Sequence, residues 1–403
     1  MQENEQLQLQ EREKLPQVQL IRAMAIIGVV TVHATSFATI KMKTSGIYWA
    51  YNFFNIFLRM GTPTFLFLSA FVLFYGYFNR PINGKLLKNF YSRRLKFILV
   101  PYIVFSVIYF TIMHYTYYEN RAFADTIDSF FDKLLHGQAY THLYFIFINV
   151  QFYVLFPLLL MIFKRKPSWT KWGLIIGFIV QWGYILLNKY YLDIDNKASY
   201  SFFYMSNFML GAFLGIYYPK VKEWFIICRE NATRRRIIGW SVLWIFGLCA
   251  AALDIYIWYD TRMNGARYNA LMFEFAWNMH TYPVALMTLQ IAHFAYRNFP
   301  KWIVRFFHRL GELSFGIYLV HPLFLFYYRQ YPPTATGGKI VHLWYLGGFF
   351  VAMAGSWLVV AAITRWVPGS WMLFGKVSSD TKERKRKEQK SKPGQMVFTQ
   401  GSD

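Results

Sequence analysis

The sequence predicts an all-α integral membrane protein, a bundle of about ten transmembrane helices with N and C termini cytoplasmic. Three observations predict it. The chain has 403 residues, 56% hydrophobic and only 16% charged, against about 25% charged in a typical soluble domain. Apolar runs long enough to cross a ~30 Å hydrocarbon core recur from Val18 to Trp366. The basic residues between those runs alternate from loop to loop, rich then poor, without a break.

Residues 1–17 are polar and carry neither an apolar leader core nor a small-residue cleavage site, so the first span is expected to stay as an anchor. Spans are expected at 18–40, 50–78, 97–118, 142–163, 172–189, 200–218, 237–258, 270–296, 311–329 and 343–366. Together they form one membrane domain, 18–366. The second range is too long for one straight helix, and Gly61 and Pro63 are expected to kink it. The loop 119–141 places Ile127, Phe130, Phe131, Leu134 and Leu135 on one helical face, with Asp125, Asp128, Asp132 and Lys133 opposite. That pattern is an amphipathic helix lying on the outer surface. The tail 367–403 is polar, with a basic run from Lys382 to Lys387, and is expected to be disordered and cytoplasmic.

Loop charge sets the orientation. Residues 79–96 hold six Lys or Arg, 164–171 four, 219–236 six and 297–310 four, whereas each loop after an odd-numbered span holds two. Basic loops face the cytoplasm, so the first span runs outward. The net charge of +23 belongs to these loops and the tail. It marks membrane orientation and contact with membrane lipid, and no nucleic-acid partner is expected. Two cysteines, Cys228 in a basic loop and Cys249 inside a span, give no disulfide and no metal signature.

Ionisable groups inside spans carry the functional signal, because a membrane makes them expensive. Arg22 and His33 lie on the first span, eleven residues apart. That spacing turns a helix by about 1100°, back to within about 20° of the start, and raises it about 16 Å. A guanidinium near one surface therefore stands below an imidazole deeper in the bilayer, on one face. Arg59, Asp254, Glu274, His280 and His321 fall in the middle and outer layers of other spans. Each has a plainer alternative. Arg22 near a helix end can snorkel to the surface, a lone histidine in a span is often a packing residue, and Arg59 with Glu274 makes an equally good structural ion pair.

Several motifs then resemble acyltransferase family 3, integral membrane proteins that move acyl groups onto extracytoplasmic glycans. Arg22-x10-His33 matches its first-span signature. Gly61-Thr-Pro-Thr-Phe-Leu-Phe-Leu-Ser69-Ala-Phe is similar to its Pro-x-Phe-Phe-x-x-Ser-Gly-Phe stretch, with Ala70 where glycine is usual. Arg93-Arg94-Leu95-Lys96 resembles its Arg-x-x-Arg motif, with Lys96 in the place of the second arginine. His142-Leu-Tyr-Phe and Gly311-Glu-Leu-Ser-Phe-Gly-Ile-Tyr318-Leu-Val-His321-Pro resemble two later motifs.

The resemblance implies a cytoplasmic acyl-CoA donor, most simply acetyl-CoA, and no bound cofactor or metal. It implies donor binding by Arg22, Arg93, Arg94 and Lys96. His33 would serve as general base or transient acyl carrier, with Glu274 or Arg59 orienting the imidazole or stabilising the oxyanion. Ser69, His142, Tyr318 and His321 would support the site. The acceptor would be an extracytoplasmic polysaccharide or lipid-linked sugar at a bacterial plasma membrane. The competing expectation is a polysaccharide or lipid-linked sugar exporter that needs no acyl donor.

Overall fold

The computed structural model describes residues 15–118, 122–333 and 338–377. Among them every regular element is helical. The first helix, α1 (Gln17–Thr35), is the hub of the bundle: α2 (Tyr48–Phe57), α3 (Gly61–Tyr77) and three later helices pack around it. The second span is interrupted just before Gly61. A 3-10 turn, Leu58–Met60, separates α2 from α3. Gly61 sits against α1 so closely that a Cβ there would lie 2.7 Å from the Ala25 carbonyl oxygen.

Helix α4 (Gly84–Arg94) runs through a π turn, Leu95–Leu99, into α5 (Val100–Tyr117). The segment 79–96, expected as a loop, is thus helical from Gly84, started by Asn83, whose side chain accepts from the Leu86 amide at 2.8 Å. Helix α6 (Phe123–Leu135) is the expected amphipathic helix. Its Ile127, Phe131 and Leu135 are exposed, while Phe130 packs on Phe110 with ring centroids 5.2 Å apart. The chain continues through α7 (Tyr144–Arg165), α8 (Ser168–Leu187), α9 (Met205–Phe225), α10 (Arg234–Asn264), α11 (Ala270–Asn298), α12 (Lys301–Tyr328) and α13 (Lys339–Trp366). Helix α12 starts ten residues before the expected 311, because the basic segment before it continues the helix instead of forming a loop.

Eight helical stretches among the described residues are long and apolar enough to cross a membrane. They match the expected spans except the sixth and eighth, whose helices α9 and α11 fall short in apolarity. The cause is visible in their packing. They bury Ser206, Asn207, Asn278, His280, Thr281, Gln290 and His293 inside the bundle, and a helix shielded by protein need not match lipid.

Small residues set the closest approaches. Cβ atoms at Gly211 and Gly215 of α9 would stand 2.2 Å from the Phe67 oxygen and 2.6 Å from the Phe71 oxygen of α3. The Gly211 Cβ would also lie 2.9 Å from Ala70 Cβ, so the alanine at the usual glycine position still permits tight packing. Helix α12 meets α1 at Gly311, where a Cβ would fall 1.9 Å from the Gln19 carbonyl oxygen.

Candidate active site

One cavity of about 440 Å³ opens at the Arg22 end of the bundle. Arg22 from α1, Ser69 from α3, Arg93 and Arg94 from α4, Asn149 and Tyr153 from α7, and Glu312 and Tyr318 from α12 line it. Arg22 and Arg94 share its wall. Arg94 lies over the Tyr153 ring at 4.8 Å and over Phe90 at 5.4 Å, and among the described residues its buried Nε has no hydrogen-bond partner. Glu312, the carboxylate among the lining residues, is already held by Arg309 at 2.9 Å. The cavity therefore presents unbalanced positive charge, as an anion site must.

Lys96 was expected with the two arginines and is elsewhere. Its ammonium lies over the Trp371 ring at 4.3 Å, in a separate surface groove with Lys88 and Leu99. The π turn explains this: its wider i to i+5 winding breaks the register that an unbroken helix would keep between Arg93 and Lys96.

Beyond Tyr318 lies a cluster of imidazoles. The rings of His33 and His321 are 5.2 Å apart, and those of His142 and His321 5.8 Å apart. Tyr318 is 5.3 Å from His142 and 5.9 Å from His321. Its hydroxyl donates to the His142 carbonyl. Among the described residues, both ring nitrogens of buried His142, and Nε2 of His321, make no hydrogen bond that meets ordinary geometry. An unmade hydrogen bond of this kind costs about 1–3 kcal/mol, so three at one place mark a site built for more than packing. His321 Nδ1 is fixed by the Ile317 oxygen at 3.1 Å.

Arg22 lines this cavity and His33 does not. The cavity reaches Tyr318, and Tyr318 in turn touches the imidazole cluster that holds His33. At the far end of α1, Arg329 Nη2 donates to the His33 carbonyl oxygen at 2.5 Å, and the guanidinium covers the Phe37 ring at 3.9 Å. Arg329 thereby caps the helix end that carries His33.

Arg59 and Glu274 stand apart from this cluster. Arg59 lies over the Trp258 ring at 5.0 Å, beside Arg262 at 4.9 Å from the same ring. Glu274 pairs with Lys197 at 2.8 Å. Among the described residues neither makes a hydrogen bond or ion pair with His33, or with the other. Asp254 and His280 form their own fully buried pair at 3.0 Å.

Sequence reasoning missed Asn149, Tyr153 and Arg329. Asn149, an amide within an apolar run, carried a signal of the kind used for His33; a tyrosine or a span-end arginine did not.

A family model described as an acyltransferase domain matches residues 15–361. The chain belongs to acyltransferase family 3. Similar proteins include the "Probable poly-beta-1,6-N-acetyl-D-glucosamine export protein" of Staphylococcus aureus strain MRSA252, 23% identical over 321 residues, 76% of this chain and 81% of that one. The protein of the same name from strain MSSA476 is 23% identical over 320 residues, 76% and 81% of the two chains. That of Staphylococcus epidermidis is 21% identical over 320 residues, 76% and 79%. No solved structure matches the chain. Of the residues whose motifs resemble the family's, Arg22, Ser69 and Tyr318 share the cavity, and His33, His142 and His321 share the imidazole cluster.

Proposed function

We propose that this protein is a membrane O-acyltransferase. It takes an acyl group, most simply acetyl, from acyl-CoA on the cytoplasmic side of a bacterial plasma membrane. It places that group on a hydroxyl of an extracytoplasmic polysaccharide or lipid-linked sugar. The observation that carries this reading is the adjacency of the cationic cavity around Arg22, Arg93 and Arg94 to the His33–His321–His142 cluster, with Tyr318 touching both.

The basic-loop pattern supports a cytoplasmic Arg22 end, on the side where CoA is found. Arginine forks suit phosphate, and a cavity with no free carboxylate suits a polyanion. The acyl-bearing end of the donor would lie toward Tyr318. An acceptor hydroxyl arriving from the His33 side gives its proton to the imidazole as its oxygen attacks the thioester carbonyl. The C–O bond forms, the C–S bond breaks, and the thiolate takes up a proton to leave as free CoA. A positioned base of this kind is worth about 10²–10⁴ in rate. Arg329 holds the backbone of His33 itself, which fixes where that base stands.

The name printed for the staphylococcal relatives favours a second reading, export of a polysaccharide without acyl transfer. Incubating membranes that contain the protein with labelled acetyl-CoA separates the two. Label transferred to an ester on the glycan supports the transferase. Glycan that appears outside, with no label and no lost substituent when the protein is removed, supports the exporter.

A further inference from the structure

After α13 the chain does not leave the bundle. Residues 367–377, expected as the start of a disordered tail, fold back against it. Gly369 turns the chain at φ 83°, a short helix α14 (Trp371–Phe374) follows, and Gly375 turns it again at φ 64°. Three contacts dock this strap. Phe374 is 3% exposed, with its ring 6.2 Å from Phe105 of α5. Trp371 meets the Phe97 ring edge-on at 5.9 Å and receives the Lys96 ammonium at 4.3 Å. Gly375 lies so close to the π turn that a Cβ there would stand 2.5 Å from the Phe97 oxygen. Both its positive φ and this contact require glycine. The family match ends at residue 361, so the strap lies outside it.

The docking has one consequence for the site. It sets Lys376 in the wall of the cavity that holds Arg22, Arg93 and Arg94. Four cations then surround one cavity, and the lining carboxylate, Glu312, is taken by Arg309. Like charges gathered in a partly desolvated space repel unless a polyanion joins them.

We propose that the C-terminal strap is part of the donor site: Lys376 binds a phosphate of the CoA donor, and Trp371–Gly375 hold it there. This rests on the reading that the cavity takes acyl-CoA. A lysine serves such a site as a compact point charge beside the arginine forks.

The test is CoA binding to the full-length protein in nanodiscs of phosphatidylcholine, by calorimetry. Lys376→Gln should weaken CoA about tenfold, the loss of one charge-assisted contact, and Lys376→Arg should restore most of it. Gly375→Ala, which undocks the strap, should weaken it at least as much, while Lys43→Gln, an exposed lysine elsewhere, should change nothing. Wild-type affinity in Lys376→Gln would overturn the proposal whatever Gly375→Ala does, so the test stands even where Gly375→Ala fails to fold. No CoA binding by the wild type would instead remove the donor reading itself, and the strap's role with it. Repeating the comparison with phosphatidylglycerol present separates the sources of phosphate. A difference between wild type and Lys376→Gln confined to those discs would assign Lys376 to lipid headgroups and overturn its role toward CoA.

Discussion

His33 on α1 and His321 on α12 hold their rings 5.2 Å apart at 55°, and the approach of the two helices is set further down by Gly311 against the Gln19 carbonyl. A glycine near one end of the interface thus brings together two helices whose imidazoles meet near the other. This places His321 beside His33, although the two are far apart in the chain.

Replacing either imidazole should therefore damage turnover more than folding. His33→Ala is expected to lower acyl transfer by about 10²–10⁴-fold, with elution and melting behaviour close to wild type. His321→Gln should lower kcat while leaving the KM for donor within about threefold, since His321 does not line the donor cavity. Steady-state kinetics with labelled acetyl-CoA reads both, and a His321→Gln effect confined to donor KM would refute the arrangement.

The two cation groups near the π turn should separate in kinetics. Arg94→Ala is expected to raise donor KM about tenfold or more, because it removes a guanidinium from the cavity wall. Lys96→Met should raise it about threefold at most, because that ammonium faces Trp371 outside the cavity and its loss only loosens the strap. Equal effects would show that the π turn does not divide them as described.

Gly311→Ala should be among the most damaging single-methyl changes in the chain. Its added carbon would meet the Gln19 oxygen at 1.9 Å, and overpacking of this kind costs about 1–3 kcal/mol. Gly76→Ala, with nothing within 4 Å, is the matched control. Thermal unfolding in detergent should separate them by several degrees, with activity falling only in Gly311→Ala; identical melting curves would contradict the close approach.

Asp254→Ala should destabilise without a specific catalytic defect. It strands His280 in a fully buried pair, a break that costs about 3–5 kcal/mol. The fraction that folds should retain wild-type turnover per molecule, as should folded Glu274→Gln, whose partner is Lys197. A large loss of kcat in well-folded Glu274→Gln would return that carboxylate to the reaction.

The bundle was legible because lipid forces long apolar helices, and because loop charge alternates with each crossing. The spans read at 200–218 and 270–296 are helices α9 and α11, less apolar than the rest because protein surrounds their polar faces. The extent of α4 and α12 was obscured because charged residues read as loops continue as helices beyond the apolar runs. The family resemblance grouped Arg22 with Arg93 and Arg94 and gave His142 and His321 supporting roles, but it set Glu274 or Arg59, not these histidines, beside His33. The exclusion of Lys96 was not legible, because a π turn leaves no simple mark in sequence. Arg59 and Glu274 shared a layer with His33 but not a helix face, and depth alone cannot tell these apart. Lys376 was hidden for a different reason: only tertiary docking of Trp371, Phe374 and Gly375 brings it back to the cavity.

The most direct test uses inside-out membrane vesicles from the native host, supplied with labelled acetyl-CoA on the exposed cytoplasmic face. The account predicts that label accumulates as an alkali-labile ester on glycan inside the vesicles with the wild-type protein, and falls to background with His33→Ala at equal protein level. Equal labelling by both proteins, or glycan delivered to the lumen by the wild type with no label at all, would contradict it.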